Sequence, residues 1–253
     1  MVYKSLTEAP HNLKEGIDWL IAVKGDDAAN NLMAIGTAVH KFLADKPVGF
    51  AEVPALENVK RISKEFLGKP ELKDQWPVNF MLRKFNQPMD KNPNIFVKIF
   101  GDVEESDYKN VIQDKSVSAE TIAKDIGDVV NCCEQFLEKV KIPDQYKSAY
   151  SSEATWDASC AKDPESCAII LVGIAPMLYA GLNSLMASCI AAFFRGLNSK
   201  AHRPTQQLLQ ALGCIEPECR AGISVPNIIM ALGGMDKSVM TTIYDLSGFW
   251  AFY

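Results

Sequence analysis

A chain of 253 residues, 48% hydrophobic and 23% charged, is long enough for one large or two small domains and too apolar to stay disordered. A formal net charge of -5 with no dense basic run argues against a general binder of nucleic acid or anionic membrane, because phosphate recognition needs clustered Lys and Arg. The opening residues, MVYKSLTEAPHNLKEG, hold no apolar run behind a basic segment, so no conventional signal peptide is visible and export is expected to take another route.

Asn12 followed by Glu15 has the spacing of a capping box, and Leu13, Ile17, Leu20 and Ile21 recur at helical spacing until Gly25. Asp26 or Asp27 is placed to cap a second helix. Its stripe is Leu32, Ile35, Val39, Phe42 and Leu43, ending before Lys46-Pro47, and it is expected to pack antiparallel to the first. A third begins near Leu56, carries Val59, Ile62, Phe66 and Leu67 on one face, and closes at Gly68 and Pro70. From 70 to about 115, Pro70, Pro77, Pro88 and Pro93 break any long period. Short helical turns are expected there, with Trp76, Phe80, Met81, Leu82, Phe85 and the run Ile95-Phe96-Val97 folded back onto the helices. Order returns at Ser118, an N-cap for a stripe of Ile122, Ile126, Val129, Cys133, Phe136, Leu137 and Val140 that stops near Pro143. Residues 143–165 read as a polar linker or surface helix.

Residues 166–194, SCAIILVGIAPMLYAGLNSLMASCIAAFF, contain no charged side chain. Roughly 20 apolar residues suffice to cross a bilayer, and the same composition suits the central helix of a soluble bundle. Gly173, Gly181 and neighbouring alanines favour close packing in either setting. Pro176, Asn183 and Ser184 are awkward in lipid, and the flanks lack a Lys/Arg asymmetry, which favours the buried reading. Charge is uneven: residues 1–165 carry 21 Lys+Arg and 27 Asp+Glu, residues 166–253 only 5 and 4. The expected architecture is therefore mainly α: a charged amphipathic-helix region, 1–165, packed with an apolar helical region, 166–253, as a multi-helix bundle around a central apolar helix. After 166–194, a short helix from Pro204 to Leu212 closes at Gly213, another spans about 236–246, and the ending LSGFWAFY either docks into the core or leads into further chain.

Of seven cysteines, Cys160 and Cys167 bracket AKDPES, and Cys214 and Cys219 bracket IEPE. Each pair could close a small disulfide loop in an oxidising compartment; the other reading is buried or incidental thiols in a reducing one. A zinc site at Cys214, Cys219 and His202 offers three ligands at irregular spacing against the usual four. His11 and His40 read as ordinary surface or packing residues. No nucleophile, phosphate-loop or metalloprotease motif occurs, so neither catalytic residues nor a cofactor are expected.

The stretches 3–25 (YKSLTEAPHNLKEGIDWLIAVKG), 42–49 (FLADKPVG), 165–185 (ESCAIILVGIAPMLYAGLNSL) and 244–253 (YDLSGFWAFY) resemble the variant erythrocyte surface antigens of Babesia parasites. The resemblance reaches from the first helix to the last residue. It implies a non-enzymatic antigen at the surface of the infected red cell, with roles in antigenic variation and in adhesion to host endothelium. The partners it implies are an endothelial receptor or antibody; another antigen subunit is a further expected partner, and the charge pattern leaves nucleic acid out. Family members are generally longer, with one membrane span near the C-terminal end. The chain is thus expected to be an opening region or a short or truncated copy, and the resemblance weakens the membrane reading of 166–194. The alternatives are a small helical protein anchored in a bilayer through 166–194, or a helical scaffold or binding module whose exposed loops at about 44–55, 86–94 and 141–165 could vary without disturbing the core.

Overall fold

The computed structural model of the chain describes residues 2–101, 103–194, 199–220 and 223–253, with backbone only at 100 and 199–204. Every regular element among them is helical: α1 (Leu13–Lys24), α2 (Ala28–Ala44), α3 (Pro54–Leu67), α4 (Val78–Asn86), α5 (Ile95–Phe100), α6 (Val111–Asp114), α7 (Ala119–Val140), α8 (Trp156–Ser159), α9 (Pro164–Phe194), α10 (Ser199–Ala211), α11 (Val225–Ala231), α12 (Lys237–Leu246) and α13 (Phe249–Phe252). A single 3-10 turn covers Glu105–Asp107, and two isolated β-bridges pair Tyr3 with Tyr150 and Lys141 with Cys219.

Local chemistry sets the helix starts. Asn12 Oδ1 accepts from the Glu15 N–H, while the Glu15 carboxylate accepts from the His11 N–H and not from the cap's own. Ser118 Oγ accepts from the Thr121 N–H, and Asp236 Oδ1 from that of Val239. Asp27 stands at the N-cap of α2 without capping it, because its carboxylate accepts from the Asn30 amide instead.

α9 is the centre of the bundle. At 1.5 Å per residue its 31 residues extend about 46 Å, and α1, α2, α3, α4, α10, α11 and α12 all pack against it. It is long and apolar enough to cross a membrane, yet 83% of its most apolar window is buried inside the protein. The helix runs through Pro176. Three residues earlier, the Gly173 carbonyl accepts from the buried Ser63 hydroxyl at 2.6 Å, tying α3 to α9. Its last turn emerges from the bundle, leaving Phe193 and Phe194 exposed.

The second seam joins α2 to α7. A Cβ on Gly36 would stand 2.7 Å from the backbone of Ala123, so only glycine allows this approach. The stripes Ile35, Val39, Phe42 and Leu43 on α2, and Ile122, Ile126, Val129, Cys133, Phe136, Leu137 and Val140 on α7, are all buried.

Both flanks of the core differ from a simple linker picture. Residues 141–165 are not a free surface segment: Ala149, Tyr150, Ala154, Trp156 and Cys160 are buried. The chain start lies across them, Tyr3 N–H donating to Ala149 O at 2.7 Å and Tyr150 OH to Glu8 O at 2.6 Å. A local apolar period cannot reveal such burial, because it depends on two segments far apart in sequence. At the other end, Gly248 (φ +65°) turns the chain from α12 into α13, and residues 249–253 dock into the core. Phe252 stacks on Phe42, and Gly49 and Ala51 N–H groups donate to Trp250 and Ala251 carbonyls.

Candidate functional site

Residues 87–101 and 103–110 follow α4 and reach α12 and α13 through Asp107 and Lys91. Pro88 and Pro93 prevent α4 from continuing, and Asn94 restarts the chain as α5 by accepting the Val97 N–H at 3.0 Å. Gly101 ends α5 after six residues. Ile95, Phe96 and Ile99 are 67%, 72% and 63% exposed, so this run does not fold back onto the helices as its composition predicts. Val97, 37% exposed, lines a cleft of about 320 Å³ with Phe80, Met89, Pro93 and Val103. Isolated surface hydrophobes are ordinary, whereas several in one short turn form a patch suited to contact.

The base of this segment is held by charge. Lys84 of α4 meets Asp107 Oδ2 at 2.6 Å, with side chains 7% and 1% exposed. Asp107 also accepts from the Tyr244 hydroxyl at 2.7 Å and the Glu104 N–H at 3.0 Å, so both oxygens are used. Lys91 donates to the Phe249 carbonyl at 2.6 Å and to the Asp107 carbonyl at 3.3 Å. Both ends of the segment are thereby fastened to α12 and α13. Burial pulls the Lys84 ammonium below its ordinary range, opposed by Asp107. Burial likewise pushes Lys91 down to about 8, again opposed by Asp107 and assisted by Lys84 and Lys60.

A pH test follows from Lys91. Its folded value, about 8, lies below the ordinary 10.5, so between these limits the folded chain binds fewer protons than the unfolded one. This contribution to stability therefore rises with pH through the window and is absent below it. The difference in urea midpoint between the parent and Lys91→Met is expected to move in the parent's favour from about pH 7.5 to about pH 9.5. An unchanged difference would show that the amine is not held away from water.

A second buried ionic cluster joins α1 to residues 146–149 and to Glu218. Lys14 on α1 lies 3.4 Å from Asp18 and 3.0 Å from Glu218, donates to Lys147 O at 2.6 Å, and covers the Tyr146 ring. Asp18 accepts from the Tyr146 hydroxyl and from the Ala149 N–H. Burial raises the Asp18 carboxyl, opposed by Tyr146 and Lys14. Gly213 (φ +101°) passes so close to Asn12 that a Cβ would stand 2.4 Å from its Oδ1, which brings the loop after α10 onto the start of α1.

The four cysteines singled out by spacing separate into two kinds. Cys160 and Cys167 are joined as a disulfide, with Cα atoms 5.9 Å apart, fastening the end of α8 to the start of α9. Cys214 and Cys219 are free and buried. The His202 side chain lies outside the described residues. Among the described residues no group of three or more His, Cys, Asp or Glu is placed to hold a metal ion. Sequence reasoning singled out neither Lys84 with Asp107 nor Lys14 with Asp18; the i,i+4 spacing of Lys14 and Asp18 on α1 was an available signal, whereas Lys84 and Asp107 lie 23 residues apart.

The chain matches no protein-family model, no curated protein sequence and no solved structure.

Proposed function

We propose that the protein is a non-enzymatic antigen of the infected erythrocyte surface, acting in antigenic variation and host-cell adhesion, and that α5 is its contact surface for an antibody or endothelial receptor. The observation that carries this reading is the exposure of Ile95, Phe96 and Ile99 on a segment whose two ends are fastened by Lys84, Lys91 and Asp107. A rigid base beneath an exposed apolar tip keeps the entropy lost on binding low, and side chains with no packing role can vary without harming the core. The resemblance of four stretches to the Babesia antigens supports the same reading.

The test is binding of the purified chain, and of Phe96→Ser/Ile99→Ser, to cultured endothelial cells and to immune serum. Binding is expected to fall by about tenfold or more, with the melting temperature unchanged. Equal binding by the variant would remove α5 as the contact surface, and no binding by the parent would remove the adhesion role.

A membrane-anchored reading draws on the length and composition of α9. Insertion would require seven packed helices to leave it, replacing protein contacts by lipid. Alkaline carbonate extraction separates the two: release supports the buried helix, and retention in a detergent-soluble pellet supports the anchor.

A further inference from the structure

We propose that the cleft formed by α3, the end of α4 and residues 252–253 binds a small aromatic molecule carrying a phosphate monoester. The site is separate from α5, and the proposal does not rest on the antigen reading.

The cleft begins as a pattern on α3. Glu57, Lys60, Arg61 and Lys64 are spaced i, i+3, i+4 and i+7, which a helix gathers on one face, while Leu56, Val59, Ser63, Phe66 and Leu67 are buried. The charged face lines a cleft of about 460 Å³ together with Phe50, Lys84, Phe85, Asn86 and Tyr253. Small-molecule sites span about 300–1,000 Å³. The Lys60 ammonium donates to the Phe252 carbonyl at 2.6 Å, so α3 and the chain end are fastened together before any ligand arrives.

Charge in the cleft is mostly of one sign, in a chain whose formal net charge is -5. Among the described residues that line it, Lys60, Arg61, Lys64 and Lys84 are cationic and Glu57 alone is anionic. Lys60 meets Glu57 at 2.8 Å, and Lys84 meets Asp107 at 2.6 Å. Arg61 meets Glu65 at 2.7 Å, but both side chains are 63% exposed, so this pair is easily exchanged for a better anion. Lys64 has no acidic partner among the described residues. A phosphate monoester brings a charge of about -1.5 to -2 and three acceptor oxygens, which suit an arginine fork beside a free ammonium.

The remaining lining supplies rings and one unsatisfied donor. The Tyr253 ring is held between the Lys60 ammonium, 4.3 Å from its centroid, and the Phe85 ring, edge-on at 5.0 Å. Phe50 is 58% exposed, leaving an aromatic face for a ligand ring. Tyr253 is 5% exposed, yet its hydroxyl has no hydrogen-bond partner among the described residues. A buried hydroxyl without an acceptor is a standing cost, and an acceptor entering the cleft that Tyr253 lines would remove it.

The experiment is titration calorimetry of the full chain, at low salt, with naphthyl phosphate, naphthol, naphthoate and inorganic phosphate. Naphthyl phosphate is expected to bind one to one. Naphthol and inorganic phosphate are each expected to bind about tenfold or more weaker, since each offers only half of what the cleft recognises, and naphthoate several-fold weaker for its smaller charge. Lys64→Gln and Phe50→Ser change exposed side chains, and each is expected to weaken naphthyl phosphate by about fivefold or more with the melting temperature unchanged. Tyr253→Phe is expected to weaken it similarly while melting no lower than the parent, because the hydroxyl has no bond to lose. Lys124→Gln, on the exposed side of α7, is expected to bind as the parent does. Four outcomes would each overturn the site: no saturable binding of naphthyl phosphate, any of the other three compounds binding as tightly, undiminished binding by any of the three cleft variants, or an equal loss in Lys124→Gln.

Discussion

Replacing Asp107 with alanine is expected to lower the stability of the folded chain by about 3–5 kcal/mol, the usual cost of removing one partner from a buried ion pair. The Asp107 side chain is 1% exposed and holds three donors: the Lys84 ammonium, the Tyr244 hydroxyl and the Glu104 N–H. Without it the ammonium stays among Phe80, Tyr244 and Phe249 with its direct ion-pair partner gone, and only the Glu104 carboxylate still favours the charge. The double variant Lys84→Met/Asp107→Leu is expected to recover much of the loss, because it removes both charges and fills the space with apolar atoms. Urea titration followed by far-ultraviolet circular dichroism measures both. A loss below about 1 kcal/mol for the single variant would mean that water reaches the pair and that it behaves as a surface salt bridge. The same variant is expected to make 87–103 more sensitive to proteolysis than the rest of the chain, since Asp107 closes the base of that segment.

Ile126→Asp is the second large effect, with an expected loss of about 4 kcal/mol or more. Ile126 is 2% exposed on the face of α7 that also buries Ile122, Val129, Val130 and Cys133, and no basic side chain lies on that face to pair with a new carboxylate. Ile126→Val keeps the face apolar, removes one methylene, and is expected to cost only about 0.5–1.5 kcal/mol. The contrast between the two separates charge burial from lost volume. If Ile126→Asp melted with the parent, the packing of α7 against α2 would be wrong.

Helices written in local chemistry were legible. Asn12 and Ser118 cap the helices their positions announce, Gly213 follows the end of α10, and the α1, α2, α3 and α7 stripes are buried except at Ile21, Leu32 and Ile62, which are partly exposed. These features depend on spacings of three or four residues, which a helix converts directly into one face. The candidate site was less legible. Its exposed run, Ile95-Phe96-Val97, has the composition of core, and only the helical turn begun by Asn94 and the fastening at Lys84 and Asp107 keep Ile95 and Phe96 outside. Likewise the burial of Tyr150 and Trp156 depends on the chain start lying across them.

By itself, then, the sequence determined the helical class, most helix starts, the buried stripes and the central rank of the charge-free stretch in α9. The tertiary structure alone decided that α9 is enclosed by other helices, that α5 faces outward, and that Lys84 meets Asp107 and Lys14 meets Glu218. The reason is physical: a helix apolar on all sides has no preferred face to read, and an ion pair between distant segments exists only once loop closure has brought them together.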